Sequence, residues 1–203
     1  MKLRNKENEK MRKTNHNIEY AAEQFLKEHN PTNQIPVPIE EIIEFNLKIQ
    51  IVPIKGLFNR ESIDGFVSHD CTQLYIDEDN YMQQNNRARF TLAHEVGHII
   101  MHRKIIRGIH TMEEWRKFVL GAGTGRAIYE TEANIFAGCV LMPQDETLRA
   151  FEAAKEKISK VFAEQKIPIP KERKIIAYVA VEIAKIFDVS EQSANIRLDN
   201  IVK

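Results

Sequence analysis

The sequence of 203 residues contains only two cysteines, Cys71 and Cys139, and they lie far apart. Because neither belongs to a C-x-x-C pair, they are poor candidates for zinc ligands, and nothing suggests a disulfide framework. Cys139 falls in an apolar segment, where a buried thiol is expected.

The sequence also lacks an excess of charge and a long apolar run. Lys plus Arg and Asp plus Glu number 29 each, so the formal net charge is zero, which does not favour non-specific nucleic-acid binding. No stretch of about eighteen apolar residues occurs, and the N-terminus has no apolar core of a signal peptide. We therefore expect a cytoplasmic protein, whose 43% hydrophobic content suffices for one compact domain with appendages.

The patterns that are present predict an α+β fold, mainly helical with a small sheet. Residues 1–15 carry mixed charges, typical of a flexible tail or of the solvated start of the next helix. Apolar spacing from Ile18 predicts an amphipathic helix, and Pro38 is expected to open a short helix. Two segments that alternate with period two, 47–52 and 63–68, and the short segment 74–76 after a polar turn predict a three-stranded sheet with helices on one side.

The most specific pattern is His94-Glu95-Val96-Gly97-His98, inside a segment with helical apolar spacing. Residues four apart share one face of a helix, so the two imidazoles can bind one cation, as they do in zinc sites. In zinc peptidases with this pattern the glutamate takes a proton from the zinc-bound water, which predicts that role for Glu95. We expect Gly97 to leave room for the metal or for a substrate strand.

A catalytic zinc needs a third protein ligand and an open position for water. The extension that ends in a third histidine is excluded, because Met101 and Lys104 stand where it requires Gly and His. The other route is a carboxylate from the later apolar helix that ends before Pro143. Glu130 is the preferred ligand there, with Asn134 one turn on as partner of a ligand histidine, and Glu132 is the alternative.

Two linked motifs resemble those of the ImmA/IrrE-type metallo-endopeptidases: R-x-R-F-T-L-A-H-E-V-G-H-I-I-M-H and E-x-E-A-N-x-F-A-x-x-x-L-M-P. The resemblance is strong over residues 87–143 and looser on either side. It implies a zincin-like core of gluzincin site layout in which His94, His98 and Glu130 bind Zn2+ and Glu95 is the base. It also implies a cytoplasmic protein substrate, a helix-turn-helix transcriptional repressor of stress-response or mobile-element genes.

Other residues near the motifs have several possible roles. His110, Arg126 and Tyr129 are candidates for stabilising the oxyanion, and no spacing decides between them. His102, one turn past His98, is expected to pair with carbonyls at the helix end. The glycine run at 121–125 is expected to be a plain connection, with a mobile flap as the alternative.

Two further expectations concern the approach to the metal. By resemblance, the stretch around Gly65-Phe66-Val67 is expected to be the sheet edge above the zinc, able to pair with a substrate backbone. Arg87 and Arg89, just before the motif, either orient carboxylates near the site or solvate the helix start.

The C-terminal segment at 187–198 resembles the second half of a helix-turn-helix, with Ser190 as a helix cap. Only Arg197 and Lys203 are basic after Lys185, which is too few to hold the phosphates of DNA well. This favours a helical pair that closes the core, or one that docks a protein, over a DNA-binding element. The predicted division is a tail at 1–15, a zinc metallopeptidase domain at 16–165 and a C-terminal helical subdomain at 166–203.

The predicted function is therefore a zinc-dependent endopeptidase that cleaves a helix-turn-helix repressor. Two alternatives stay open: a DNA-binding regulator with a structural zinc, and a non-catalytic partner that binds a repressor or antitoxin. The intact Glu95 argues against the second alternative, because a binding module has no use for the base.

Overall fold

The computed structural model describes residues 2–119, 126–166, 168 and 172–202. Its helices are α1 Lys2–His29, α2 Ile39–Glu41 (continued by a π-helical turn, Ile42–Asn46), α3 Leu57–Glu61, α4 Glu78–Gln83, α5 Asn85–Arg107, α6 Met112–Val119, α7 Arg126–Leu141, α8 Gln144–Glu164, α9 Glu172–Phe187 and α10 Glu191–Ile201. Its strands are β1 Gln50–Ile54, β2 Gly65–Val67 and β3 Gln73–Asp77.

The strands form one mixed sheet in the order β1-β3-β2. Strand β1 runs parallel to β3, with Ile51 opposite Leu74, and β2 runs antiparallel to β3, with Phe66 opposite Tyr75. The predicted α+β class, mainly helical with a three-stranded sheet, is confirmed. The order also puts β2, the stretch predicted to be an edge, at one end of the sheet.

Helices α5 and α7 pack closely in the centre of the molecule, and Gly97 makes this approach possible. A Cβ atom at Gly97 would lie 3.2 Å from the Cα of Ala133 and 3.2 Å from the ring of Phe136. The glycine therefore serves helix packing, which differs from the expected role of leaving room for a metal or a substrate.

The polar composition of residues 77–86 predicts a linker before α5, but the segment contains helix α4, so that prediction is wrong. Asp77 caps α4: its carboxylate accepts from the backbone N–H of Asn80 at 3.0 Å and from that of Phe58 at 2.9 Å. The pattern was missed because α4 is short and polar, without apolar periodicity.

At the N-terminus, α1 begins at Lys2, so residues 2–15 form the first part of this helix.

Helices α9 and α10 contribute to the same hydrophobic cluster as α1, the sheet, α5 and α7. Ser190 caps α10 by accepting from the N–H of Ser193 at 3.1 Å, as the sequence predicted. The buried Arg197 donates to the carbonyl of Met142 at 3.1 Å and pairs with Glu19 at 3.3 Å, which ties α10 to the chain before α8 and to α1.

The glycine run at 121–125 lies outside the described residues, so the expectation of a connection or flap there stays a prediction. Among the helices that the structure describes, none combines the length and apolar character that crossing a membrane requires.

Candidate metal centre

Helix α5 carries both histidines of the motif on one face. Their Nε2 atoms lie 3.0 Å apart, and the rings are nearly perpendicular, with centroids 4.7 Å apart. This is the arrangement expected from the i, i+4 spacing, because residues one turn apart lie above each other. Both imidazoles therefore present a nitrogen to the same point.

Helix α7 brings a carboxylate to that point. Glu130 Oε2 lies 3.2 Å from Nε2 of His94, and its Oε1 lies 3.3 Å from Nε2 of His98. Ligand atoms of these three residues all fall within 4.8 Å of one another, so the group could hold a metal ion. The structure thus brings together the three residues predicted as ligands.

The other nitrogen of each ring is held by a partner. Nδ1 of His94 lies 2.9 Å from Oδ1 of Asn134, the partner predicted from the helix face, and Nδ1 of His98 lies 3.0 Å from Nδ1 of His102. An amide oxygen can only accept, so His94 carries its proton on Nδ1. If His98 likewise donates from Nδ1, both Nε2 atoms are left as acceptors.

This donor set fits a zinc ion. Two acceptor nitrogens and a carboxylate at mutual distances of 3.0 to 3.3 Å repel each other unless a cation or proton lies between them. Tetrahedral zinc with Zn–N bonds of ~2.05 Å would hold two nitrogens ~3.3 Å apart, close to the observed spacing. Two imidazoles and a carboxylate are also the ligands of catalytic zinc sites that keep a fourth position open.

Glu95 lies beside this group without joining it. Its Oε1 is 4.0 Å from Nε2 of His94, and the residue is 6% exposed. A Cβ atom at Gly65, the first residue of edge strand β2, would lie 3.8 Å from Cγ of Glu95. The side chain of Glu95 therefore lies between the three convergent side chains and the edge of the sheet.

A family model described as the IrrE N-terminal-like domain, that of the Peptidase M78 family, matches residues 58–199. The chain belongs to this family. The matched segment holds the edge strand, both motifs and the C-terminal helices, and it confirms the predicted resemblance to the ImmA/IrrE-type proteins.

Comparison of this M78 chain with curated proteins gives no match. Among solved structures, a Mycobacterium tuberculosis transcriptional regulator matches with a TM-score of 0.55 and 16% sequence identity, over 93% of this chain and 48% of that chain. The likeness shows a shared fold, and the M78 chain spans about half the length of that regulator.

Sequence reasoning missed one relationship in the M78 centre. His102 is 3% exposed and does not pair with carbonyls at the helix end, so that prediction was wrong. Its Nδ1 faces His98, and its Nε2 lies 2.9 Å from Oε2 of Glu132. Glu132, the alternative third ligand, therefore holds the outer histidine. The spacing of four residues from His98 to His102 was the signal available in the sequence.

The pKa values of His94 and His102 are shifted in opposite directions. Burial lowers the pKa of His94, but the hydrogen bond and charge of Glu130, together with the charge of Glu95, outweigh burial and raise it. At His102 burial prevails over the hydrogen bond with Glu132, and the pKa is lowered. A neutral His102 can accept a hydrogen bond at Nδ1 from the Nδ1–H of His98 while its own Nε2–H donates to Glu132.

The three candidates for oxyanion stabilisation have different surroundings. Tyr129 packs its ring on His102, with centroids 4.9 Å apart, and is half-buried. His110 is exposed, and its backbone N–H donates to Glu114. The side chain of Arg126 lies outside the described residues. The contacts of Tyr129 place it next to the outer histidine.

The two arginines before the motif have separate structural roles. Arg87 pairs with Asp64 at 2.7 Å and stacks over the ring of Phe58, 4.5 Å from its centroid. Arg89 is buried and donates to two backbone carbonyls, that of Asp188 at 3.1 Å and that of Val37 at 2.9 Å. Neither of the alternatives predicted for Arg89 describes this contact with two distant loops.

Proposed function

We propose that this M78 chain is a zinc-dependent endopeptidase. The observation that carries the proposal is the convergence of His94, His98 and Glu130 on one point, with Glu95 adjacent and outside the ligand set. A structural metal site has no need of an additional buried carboxylate beside it, whereas a hydrolase needs a base there.

In the proposed reaction, His94 and His98 through Nε2 and Glu130 through its carboxylate would hold the zinc. Bound zinc would supply a water of lowered pKa and a Lewis acid for the scissile carbonyl. Glu95 accepts the proton of the attacking water at its carboxylate and passes it to the leaving amine. Asn134 and His102 hold the ligand histidines in the required tautomers.

The edge strand β2 is the proposed place for the substrate backbone. Its other edge pairs with no strand among the residues that the structure describes, so a substrate segment can add to the sheet there. Gly65 keeps this strand close to α5: a Cβ atom would lie 2.8 Å from Cγ2 of Thr91 and 2.8 Å from the carbonyl oxygen of Tyr75. The scissile bond would then lie next to Glu95.

The proposed substrate is a helix-turn-helix transcriptional repressor, which rests on the family resemblance alone. The non-catalytic alternative, a protein that binds a repressor without cutting it, would keep the fold and lose dependence on Glu95. Comparison of cleavage by the wild type and by Glu95→Gln separates the two.

Metal content tests the ligand set. Elemental analysis of the wild type should give about one zinc per chain, as expected for a three-ligand site. Glu130→Ala should lose the metal, whereas Glu132→Ala should bind zinc at saturating concentration. Absence of zinc from every preparation, even after zinc is added back, would contradict the proposed centre.

Cleavage tests the role of Glu95. Purified wild type and zinc-loaded Glu95→Gln would be incubated with native bacterial lysate, and new protein N-termini identified by mass spectrometry. New N-termini should form with the wild type and not with Glu95→Gln, because an amide cannot take the proton. Equal cleavage by both proteins would refute the mechanism, and cleavage by neither would favour the non-catalytic partner.

A further inference from the structure

A groove with a volume of about 930 Å³ adjoins the candidate metal centre. It lies between the start of α5, the middle of α7 and helix α10. Asn134, which bonds to His94, and Thr91, which lies against Gly65 of the edge strand, both line it. The groove is therefore continuous with the space where a scissile bond would lie.

The lining combines apolar side chains with neutral polar groups. Phe90, Ile135 and Ile196 provide apolar surface. Ile196, on helix α10, is 56% exposed. Amide and hydroxyl side chains, such as Gln84 and Gln192, lie around them. Ligand sites of a few hundred to about 1,000 Å³ typically have this mixture of apolar surface with a few polar groups.

The charged residues of the lining are paired with one another or with partners inside the protein. Asp64 and Arg87 form an ion pair at 2.7 Å, and the buried Arg197 bonds to the carbonyl of Met142 and to Glu19. Nucleic acid requires cations that remain available for phosphates, and this lining offers no such cluster. The groove therefore suits a neutral partner.

The groove has open space for a side chain beside Gly138. This residue of α7 lines the groove, and a Cβ atom built on it would meet nothing within 4 Å. A larger side chain at this position would project into open space without displacing the core. Leucine also has a higher helix propensity than glycine, by roughly 1 kcal/mol, so the helix should tolerate it.

We propose that the groove binds an uncharged segment of the substrate polypeptide that carries an apolar side chain, on one side of the scissile bond. The apolar side chain packs against Ile135 and Ile196, and the amide side chains along the groove bond to the peptide backbone. This inference rests on the proposed peptidase function for its position in the reaction, but binding itself requires no turnover.

The test measures peptide binding to the zinc-loaded, full-length Glu95→Gln protein. Random 12-residue peptides displayed on phage are selected on this protein, and the peptides obtained are measured by fluorescence anisotropy. Adding Gly138→Leu should weaken binding roughly tenfold or more, because it fills the place of the apolar side chain. Adding Ala153→Leu, an exposed position on α8, should leave binding unchanged.

The selected sequences give a second readout. They should share an apolar residue flanked by uncharged residues, and Ile196→Asp should weaken their binding in the same way as Gly138→Leu. Failure to select any peptide, or peptides whose affinity is the same with Gly138→Leu, would overturn the inference. Self-association of the chain that Gly138→Leu abolishes would assign the groove to a second copy and would also overturn it.

The two proposals fail separately. If new N-termini form in the lysate and depend on Glu95 while Gly138→Leu leaves peptide binding intact, the peptidase stands and the groove does not. If peptides bind in the groove and no protein is cleaved, the groove stands as a docking site and the peptidase proposal fails.

Discussion

The buried His102 and the half-buried Glu132 form a pair behind the candidate metal centre, with Nε2 of the histidine 2.9 Å from Oε2 of the carboxylate. Through Nδ1 the same imidazole reaches Nδ1 of His98. A ligand histidine commonly donates its second N–H directly to a carboxylate or carbonyl. Here a second histidine stands between the ligand and the carboxylate, so the orientation of His98 depends on both residues.

Removal of this connection should weaken metal binding. We expect His102→Ala to lower zinc affinity about 10- to 100-fold, since His98 loses the acceptor that fixes its tautomer and ring orientation. Glu132→Gln should have a smaller effect, because the amide oxygen can still accept from Nε2 of His102. Competition with a chromophoric chelator measures the affinity, with the exposed His69→Ala as control. Affinity equal to wild type in His102→Ala would refute this role.

Two glycines on the central helices should respond oppositely to the same substitution. Gly97→Ala places a methyl group 3.2 Å from the backbone of Ala133, so we expect a lower free energy of unfolding, by about 1–3 kcal/mol. Gly138→Ala meets open space and should raise the free energy of unfolding by about 0.5–1 kcal/mol through helix propensity. Urea denaturation of the two variants checks the pair. Stabilisation by both alanines would show that the helices separate at little cost.

The cap at Asp77 should contribute stability that depends on pH. Burial raises the pKa of this carboxyl, but the backbone N–H groups of Phe58 and Asn80 outweigh burial, and the pKa is lowered. A lowered pKa stabilises the fold above the unfolded pKa of ~3.9, and this contribution is lost as the pH falls through the folded pKa. Asp77→Ala should therefore cost about 1–2 kcal/mol near pH 7 and less near pH 3.

The matched control for this prediction is Asp79→Ala, at an exposed position in the first turn of the same helix. It should change the free energy of unfolding by less than about 0.5 kcal/mol. Urea midpoints at the two pH values measure both variants. A loss for Asp77→Ala that stays constant with pH would mean that the side chain acts through packing and not through its charge.

The sequence was sufficient to predict the parts of the structure that depend on local periodicity. Alternation with period two located the first two strands, and the segment 74–76 after a polar turn located the third. The i, i+4 rule placed His94 and His98 on one face of α5, and Glu130 and Asn134 on one face of α7. The sheet order β1-β3-β2 could not be read in this way, because pairing between distant strands leaves no local pattern.

Contacts between distant segments explain the other errors. His102 was assigned to the helix end because nothing local shows that α7 brings Glu132 to it, 30 residues later. Gly97 was assigned to the metal because the approach of Ala133 is a property of the packed helices. In both cases helix α7 supplies the missing partner, so the pairing of α5 with α7 was the information that the sequence did not provide.

The role of Arg89 depends on contacts between distant segments of the packed structure. A matched comparison with its neighbour Arg87 tests this role. Arg89 donates to the carbonyls of Asp188 and Val37, so Arg89→Lys, with a single ammonium, should leave a buried carbonyl unpaired and cost about 1–3 kcal/mol. Arg87→Lys alters a half-exposed ion pair with Asp64 and should cost less than about 1 kcal/mol. Urea midpoints compare the two variants; equal losses would show that the two carbonyl contacts of Arg89 are dispensable.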